Sequence, residues 1–328
     1  MERNDKGKNK KFLLAAFGLL IVVGVILLAK LLLSKPEPEW DDNQSQSTIG
    51  QITYEGHRYS YNQSLINILF LGIDNNDVIR EGDLPGDAGQ SDCILLLTLN
   101  RETKQGQILQ IPRDTMTEVD LYDASGEYYT TVTEQITTQY AYATGGQNSC
   151  RAVKKTVSEL LYDLPIDGYL AMDMAAVSIV NDAIGGVTVT FSDDYTMIDP
   201  AFEKGATLKL AGKQAYDFVH YRDTKQDFSN NGRMQRQMLY VPAMIDTIQG
   251  NAKLQGNYYK VLYPLVEKYM VTDLEEDEMN KLMEYQLDMD KTQILPGEGK
   301  KGEKYEEFYV DEEKLKKILI ETFYILEK

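Results

Sequence analysis

Charged side chains stand at both outer ends of one short apolar hairpin in the sequence. Two apolar runs, residues 93–99 and 108–111, are joined by a polar turn, and this pattern predicts a pair of buried antiparallel strands. Asp92 directly precedes the first run, and Arg113 and Asp114 follow the second. Because the outer ends of an antiparallel hairpin are neighbours, we expect a guanidinium beside two carboxylates. Such a group can bind an anion or move a proton, and the alternative is an ion pair that only caps the hairpin.

Two aspartates flank glycine-rich loops at the ends of predicted strands. Asp74 lies just after the apolar run of residues 66–71, and Asp92 begins the hairpin. Loops in this position commonly carry binding groups. Two carboxylates at one sheet edge repel each other unless a cation lies between them. Oxygen ligands without a nearby His or Cys predict Mg²⁺, with Mn²⁺ as the second choice. The alternative is a pair of solvated turn aspartates.

Three arginines gather near the start of a predicted long helix. Arg222 lies in the preceding loop, and Arg233 and Arg236 lie in the first turns of the helix predicted over residues 232–248. A helix N-terminus offers free N–H groups, and planar guanidinium groups bind phosphate oxygens in pairs. With Arg113 and the aspartates, these residues predict a metal- and guanidinium-lined site for phosphoryl transfer. The alternative is that Arg233 and Arg236 lie on a solvated helix face.

Strands alternate with helices through the rest of the chain, which predicts an α/β fold with a sheet covered on both faces. Besides the hairpin, strands are expected at residues 66–71, 169–172, 187–191, 208–210, 292–295 and 308–310. Helices are expected at residues 134–142, 149–161, 174–183, 214–219, 232–248, 258–270 and 273–289, and from residue 311 onward.

The N-terminal part of the chain predicts a membrane anchor. Residues 1–11 form a basic tail, and residues 12–33 are apolar except for Lys30 and are long enough to cross a bilayer. The basic flank predicts a cytoplasmic N-terminus and an external remainder. A cleaved signal peptide is the alternative, but no small-residue cleavage site follows. Residues 34–63 are expected to be an extended extracytoplasmic linker, with a short edge strand over residues 52–61 as an alternative for its last part, and residues 64–328 a single domain.

Composition excludes several classes of protein. The net charge of −17 argues against nucleic acid binding, which needs a basic surface. Two cysteines cannot form a disulfide scaffold, and two histidines are too few for a His-rich zinc site. The sequence contains no Walker A motif, no G-x-S-x-G and no H-E-x-x-H.

Eight short motifs occur in an order that resembles the LytR-CpsA-Psr family. They are Asn67–Asp74, Ser91-Asp92, Ile111–Asp114, Tyr140–Gly146, Pro165–Tyr169, Gly185–Val187, Tyr221-Arg222 and Gly232–Gln237. The resemblance implies an extracytoplasmic phosphotransferase with a single-pass membrane anchor. Its expected partners are a polyprenyl-pyrophosphate-linked glycopolymer, such as a teichoic acid or a capsule polymer, and peptidoglycan. The implied fold is a three-layer α-β-α sandwich with a mixed central sheet and an apolar groove for the polyprenyl tail.

The same resemblance assigns roles to individual residues. The implied metal ligands are Asp74 and Asp92. The implied catalytic residues are Asp92, Arg113, Asp114, Arg222 and Arg233. The implied pyrophosphate-binding residues are Arg113, His220, Arg222, Arg233, Arg236 and Gln237. Three positions depart from the family pattern: Gln90 and His220 stand where Arg is usual, and Asn230 where Asp is usual, with Asp227 nearby.

The expected reaction is attack of a peptidoglycan sugar hydroxyl on phosphorus, with polyprenyl phosphate leaving. Asp92 and Asp114 are both candidates for the general base. A weak pyrophosphatase activity is compatible with the same site. The alternative is a scaffold that binds the lipid-linked polymer with little or no turnover, because the three departures remove charge from the site.

Overall fold

The computed structural model describes residues 51–75, 79–223, 225–251, 254 and 257–327. Residues 52–328 form one compact unit. The predicted basic tail (1–11), the predicted anchor (12–33) and the linker as far as residue 50 lie outside the described residues. Within the described part of the chain, no helix is both long enough and apolar enough to cross a bilayer.

The described residues form sixteen strands and eight α-helices. The strands are β1 (Gln51–Tyr54), β2 (His57–Tyr61), β3 (Leu65–Ile73), β4 (Ser91–Asn100), β5 (Gln105–Ile111), β6 (Met116–Tyr122), β7 (Tyr128–Gln135), β8 (Gly168–Asp173), β9 (Val187–Thr190), β10 (Thr207–Leu210), β11 (Met270–Thr272), β12 (Gln286–Leu287), β13 (Gln293–Ile294), β14 (Gly297–Lys301), β15 (Glu306–Val310) and β16 (Tyr324–Leu326). The helices are α1 (Thr138–Tyr142), α2 (Gly146–Leu160), α3 (Ala175–Ala183), α4 (Gly212–His220), α5 (Ser229–Gly250), α6 (Tyr258–Val266), α7 (Glu276–Leu282) and α8 (Glu312–Phe323).

The central sheet is mixed, as predicted. Its order is β11-β8-β3-β4-β5-β12, and β13 also pairs with β5. The predicted hairpin is present as β4 and β5, and β3 is the antiparallel neighbour of β4 on the other side. β8 runs parallel to β3, which requires a crossover through the intervening helices. The long apolar strands β3, β4 and β5 therefore lie in the middle of the sheet, where both of their faces are buried.

Side chains of β3 alternate between two cores, because successive residues of a strand point to opposite faces. Leu69, Leu71 and Ile73 belong to a core that includes side chains of α1, α2 and α8. Phe70 packs on the opposite face, where Val241 of α5 belongs to the same cluster. Side chains of α3, α4, α5 and α6 form a further core on that side. Helices thus cover both faces of the sheet.

The predicted linker is shorter than expected at its C-terminal end. Residues 51–61 form β1 and β2, and the compact unit begins at Ile52 rather than at residue 64. β2 pairs with β16, the last strand of the chain. Tyr61 is buried, and its ring lies edge-to-face against Tyr324 at 5.9 Å. β1 and β2 cover the stretch for which an edge strand is the alternative, but no local pattern in the sequence identifies β16 as the partner.

Two predicted helices are wrong over part of their length. The helix expected at residues 134–142 is the end of β7 followed by the short α1, because residues 128–135 are rich in Thr and Tyr and pair with β6. The helix expected at residues 273–289 is limited to α7, because Gln286 and Leu287 pair with β5.

Candidate active site

Asp74 and Asp92 lie at the same end of the central sheet, because β3 and β4 are antiparallel neighbours. The register shifts between Gly72 and Ile73, so a β-bulge precedes Asp74. The Asp74 carboxylate lies 3.3 Å from His220 Nε2, at the end of α4. Hydrogen bonding to His220 is the main reason that the pKa of Asp74 is held below its usual value.

The Asp92 carboxylate lies between two guanidinium groups. Arg113 Nη1 donates to Asp92 Oδ1, and Arg233 Nη1 donates to Asp92 Oδ2 at 2.5 Å. Arg113 also donates from Nη2 to Gln90 Oε1 at 2.8 Å. Because Asp92 and Arg233 are both buried, this group carries one net positive charge inside the protein. The predicted pairing across the hairpin ends is present, and Arg233 joins it from α5.

Asn230 connects this triad to Asp114. Asn230 Oδ1 accepts hydrogen bonds from Arg233 Nη2 and Nε at 2.8 and 3.2 Å. Asn230 Nδ2 donates to Asp114 Oδ2 at 3.0 Å, and Gln135 Nε2 donates to Asp114 Oδ1 at 3.1 Å. Burial raises the pKa of Asp114. We refer to Asp92, Arg113, Asp114, Asn230 and Arg233 as the charged cluster.

Arg222 lies beside the cluster and is more exposed than Arg233. Its Nε donates to Ser229 Oγ at 2.9 Å, and its Nη2 lies 3.3 Å from Glu306 Oε2. About a quarter of the Arg222 side chain is exposed, against about 4% for Arg233. Arg222 is therefore held in place by its neighbours and still accessible to a ligand.

Arg236 and Gln237 are placed differently from the prediction. Arg236 donates to the backbone carbonyls of Phe218 and Tyr221, and Gln237 Nε2 donates to the carbonyl of Val219 at 3.4 Å. These carbonyls belong to the C-terminal end of α4, where the last carbonyl groups lack helical partners. Burial lowers the pKa of Arg236 to about 10. Both side chains join α4 to α5, so we assign them to positioning rather than to pyrophosphate contact.

The alternative of a solvated helix face is also wrong. Arg233 and Arg236 are only 3% and 5% exposed. A long α5 that packs against the sheet buries both arginines, and their donors are satisfied inside the protein.

Sequence reasoning missed Gln135 and Glu306. Gln135 ends β7 and donates to Asp114 and to the backbone carbonyl of Glu306 at 2.7 Å. Glu306 begins β15, and its carboxylate accepts from the backbone N–H of Phe228 and pairs with Arg222. Each lies on a strand that reaches the cluster from a distant part of the chain, and no motif marks either residue.

An apolar groove of about 1200 Å³, its open mouth included, lies on the α5 face of the sheet. Its floor is formed by side chains of the central strands, including Ile68, Phe70, Leu95 and Leu97. Its walls come from α3, α5, α6 and α7. A cavity of this size with almost wholly apolar walls suits a long hydrocarbon chain.

A narrower apolar pocket continues the groove toward the charged cluster. It has a volume of about 460 Å³ with its mouth, and it shares Phe70 and Met244 with the groove. Gly72, Cys93 and Gln237 also line it. A Cβ atom on Gly72 would lie 2.9 Å from Cys93 Cβ, so only glycine permits this approach of β3 and β4. Cys93 and Cys150 are both buried and free, and the thiol of Cys93 is one wall of this passage.

One face of α5 contributes to the charged cluster, the narrow pocket and the groove. Asn230, Arg233, Gln237, Val241 and Met244 recur at intervals of three or four residues, which places them on one side of a helix. Asn230 and Arg233 belong to the charged cluster, Gln237 lines the narrow pocket, and Val241 and Met244 line the groove. At about 1.5 Å per residue, the stripe is about 21 Å long.

The donor chemistry fits magnesium only if the substrate completes the site. Among the described residues, no group of three or more His, Cys, Asp and Glu side chains could enclose a metal ion. Asp74 is half-exposed and has an oxygen beyond the one facing His220, whereas both oxygens of Asp92 accept from guanidinium groups. Mg²⁺ is commonly held by one or two carboxylates together with substrate phosphates. The residues therefore suit a metal that arrives with a phosphate ligand.

Comparison with known proteins identifies the family. The model of the LytR_cpsA_psr family matches residues 36–323. The chain is 31% identical over 242 residues to a polyisoprenyl-teichoic acid–peptidoglycan teichoic acid transferase TagU from Bacillus cereus, covering 72% of this chain and 71% of the relative. The chain belongs to the LytR-CpsA-Psr family. The resemblance expected from the eight ordered motifs is thereby confirmed.

Solved structures share the fold of this LytR-CpsA-Psr protein. The crystal structure of Bacillus subtilis TagU superposes with a TM-score of 0.56 at 22% identity, covering 79% of this chain and 96% of that one. The crystal structure of protein gbs0355 from Streptococcus agalactiae gives a TM-score of 0.62 at 22% identity, covering 79% and 88%.

The three departures from the LytR-CpsA-Psr pattern all lie at the site. Gln90 accepts a hydrogen bond from Arg113, His220 faces Asp74, and Asn230 lies between Asp114 and Arg233. Asp227, the nearby acid, instead pairs with Lys301 at the surface. Each departing side chain thus has a polar partner within the site.

Proposed function

We propose that this protein transfers a glycopolymer from a polyprenyl-pyrophosphate carrier to peptidoglycan, with its domain on the outer side of the cell membrane. One observation carries the proposal: an apolar groove suited to a hydrocarbon chain continues through a narrower pocket toward a cluster that contains two guanidinium groups, with a third, that of Arg222, beside it. A lipid pyrophosphate likewise consists of a long hydrocarbon chain that ends in a charged pyrophosphate group. The relatives named as teichoic acid transferases support a cell wall glycopolymer as the transferred group.

The charged cluster suits a pyrophosphate. Arg113 and Arg233 both bind Asp92, so two guanidinium groups are held side by side in the cluster. Arg113 Nε has no hydrogen-bond partner among the described protein atoms, although it lies 3.4 Å from Asp114. Arg222 adds an accessible guanidinium. Guanidinium groups held in advance stabilise charge that develops on phosphoryl oxygens without reorganising during the reaction.

Different residues of the chain bind the lipid tail and the phosphate groups of the donor. The groove holds the polyprenyl tail, and Arg113, Arg222 and Arg233 bind the phosphate oxygens and stabilise the transition state. His220 lies at the Asp74 side of the cluster, where it can donate to a phosphate oxygen. A magnesium ion held by Asp74 and completed by the substrate would supply further charge neutralisation, while Asp92 keeps its two guanidinium partners. A sugar hydroxyl attacks phosphorus, and polyprenyl phosphate leaves along the groove.

The proposal is tested by turnover with the full chain in detergent micelles. A polyprenyl-pyrophosphate-linked glycan and soluble peptidoglycan strands are the substrates, and the glycan–peptidoglycan product is measured. We expect Met244→Trp, which fills the groove, to raise the KM for the donor by about tenfold or more. Met197→Trp is the matched control, because Met197 is 64% exposed and does not line the groove.

Binding without turnover would favour the scaffold alternative. In that case the wild-type chain binds the lipid-linked glycan, Met244→Trp weakens the binding, and no product forms at any magnesium concentration. Equal donor affinity in wild type and Met244→Trp would contradict both the transferase and the scaffold hypotheses, because each places the lipid in the groove.

A further inference from the structure

A polar cavity lies next to the charged cluster, away from the apolar groove. Its volume is about 670 Å³ with its mouth. Its lining includes three acidic residues and two asparagines, Asp114, Glu306, Glu307, Asn230 and Asn231. Because α5 presents Asn230 here and its groove-lining residues, Val241 to Ile248, about three to five turns later, the cavity and the groove lie at opposite ends of one site.

Two phenyl rings form the apolar part of this cavity, and two glycines leave the space that the rings occupy. Phe228 and Phe308 line the cavity together with Gly297 and Gly299 of β14. A Cβ atom on Gly299 would lie 2.8 Å from the ring of Phe228, and one on Gly297 would lie 2.6 Å from the ring of Phe308. Phe228 has a left-handed backbone (φ 56°), which is uncommon for an aromatic residue.

The position of the cavity relative to Asp114 is fixed by main-chain contacts. The backbone N–H of Phe308 donates to the carbonyl of Asp114 at 2.8 Å, and Thr115 pairs with Phe308 as an isolated bridge. The hairpin of β14 and β15 is therefore attached directly to the segment that carries Asp114. The Asp114 carboxylate is at once a wall of the cavity and a member of the charged cluster.

The lining predicts an uncharged, hydroxyl-rich ligand. The described residues that line the cavity include no Lys, Arg or His, and the guanidinium groups of Arg222 and Arg113 are paired with Glu306 and Asp114, so the lining itself offers a phosphate group no positive charge. Carboxylates and amides accept and donate hydrogen bonds to hydroxyl groups, and aromatic rings pack against apolar ring faces. A saccharide offers both kinds of surface.

We propose that this cavity binds the acceptor glycan and presents its hydroxyl group to Asp114, which acts as the general base. The inference rests on the proposed transfer function. In-line displacement at phosphorus requires the nucleophile to enter opposite the leaving group. The leaving group is tied to the lipid in the groove, and the polar cavity lies at the other end of the charged cluster.

The two candidate bases differ in what already binds their oxygens. Both oxygens of Asp92 accept hydrogen bonds from charged guanidinium groups, whereas those of Asp114 accept from the neutral amides of Asn230 and Gln135. The guanidinium of Arg113 lies 3.4 Å from Asp114 Oδ1 but donates no hydrogen bond to it. Each oxygen of Asp114 keeps acceptor capacity for a further donor. Burial also raises the pKa of Asp114, which makes it a stronger base than an ordinary carboxylate.

The proposed step balances as follows. The sugar O–H bond breaks, and its proton moves to the Asp114 carboxylate. The hydroxyl oxygen forms a bond to the phosphorus that carries the glycopolymer. The bond from that phosphorus to the bridging oxygen of the pyrophosphate breaks, and its electron pair leaves with polyprenyl phosphate.

The acceptor site is tested by filling the cavity from an exposed position. Asn231 is exposed in the first turn of α5 and lines the cavity, so Asn231→Trp adds bulk there without a core change. With soluble uncross-linked peptidoglycan strands as the probe, we expect the acceptor KM to rise about tenfold or more and the donor KM to change less than about twofold. Gln235→Trp is the matched control, since Gln235 is exposed one turn later and does not line the cavity.

Asp114→Asn tests the base separately from the pocket. We expect glycan transfer to fall by about 10²-fold or more while the affinity for a non-transferable lipid-pyrophosphate analogue stays within about twofold. In wild type, the rate should fall as acid protonates Asp114, and the remaining activity of Asp114→Asn should lack this acid limb. Thermal unfolding of each variant verifies that it is folded, and Asn231→Tyr replaces Asn231→Trp if the latter is not.

The outcomes separate this inference from the proposed function. An unchanged acceptor KM in Asn231→Trp, with normal donor turnover, overturns the acceptor site alone. Full transfer by Asp114→Asn overturns the assignment of the base. If the wild-type chain neither binds nor turns over the lipid-linked glycan, the proposed function itself fails, and the donor measurements reveal this before any acceptor is added.

Discussion

Asn230 donates to Asp114 and accepts from Arg233, so one amide connects a carboxylate to a guanidinium inside the site. An aspartate at this position could accept from Arg233 but could not donate to Asp114. The amide therefore suits its two neighbours better than the acid that is usual in the family. These hydrogen bonds explain physically why Asn stands at residue 230, where Asp is usual in the family.

Asn230→Asp should destabilise the protein, although it restores the usual family residue. A second carboxylate would face Asp114, and the buried hydrogen bond would be lost, at a cost of about 1–3 kcal/mol. The free energy of unfolding in urea measures the effect. Gln235→Glu, an exposed change of the same kind on α5, is the control and should be close to neutral. A stability equal to wild type would show that the site relaxes around the new charge.

Asp92→Ala and Asp74→Ala should differ in stability. Removing Asp92 leaves the buried guanidinium groups of Arg113 and Arg233 without their carboxylate, and loss of one partner of a buried pair costs about 3–5 kcal/mol. Asp74 is half-exposed, so its removal should leave the protein folded.

The activity of Asp74→Ala tests the metal proposal. Loss of one group that stabilises transition-state charge commonly lowers kcat by about 10²–10³-fold. We expect a loss of this size together with a weaker dependence on added Mg²⁺, measured as a magnesium titration of the transfer rate. A wild-type rate with an unchanged magnesium titration would remove Asp74 from the metal site.

The pKa of Asp114 predicts a pH dependence of stability. Its folded-state pKa lies above the unfolded value of 3.8, so the folded state binds the proton more tightly. The contribution of Asp114 to stability is then lost as pH rises above the unfolded pKa and through the folded one. Asp114→Asn cannot titrate, so its stability relative to wild type should increase as pH rises from 3.8 through the folded-state pKa of Asp114. Urea unfolding across this range measures the difference, and a constant difference would contradict the burial effect.

Membrane topology is tested at residue 47, outside the described residues. If residues 12–33 anchor the chain with the N-terminus inside, Ser47→Cys should react with a membrane-impermeant maleimide in intact cells. The native cysteines provide a low background, because Cys93 and Cys150 are both buried. Labelling that appears only after lysis would reverse the orientation.

The sequence alone determined the features that depend on neighbouring residues. The β4–β5 hairpin follows from two apolar runs around a polar turn, and it places Asp92 beside Arg113 because hairpin ends must meet. The ordered motifs also carry enough local information to identify the family and its mixed α/β fold. Helix and strand types follow from periodicity where the period is clear, as in α2 and α8.

Only the tertiary structure decided which side chains share the site. Arg233 and Arg236 are three residues apart, and yet one reaches Asp92 while the other holds the carbonyls at the end of α4. Which of the two arginines makes which contact depends on how α5 packs against its neighbours, and the spacing of residues along one helix does not specify it. Gln135 and Glu306 reach the cluster from strands in different parts of the chain, and the polar cavity exists only because β14 and β15 pack beside Asp114. Contacts between residues far apart in the chain are set by the packing of whole elements, so no local pattern of residues could reveal them.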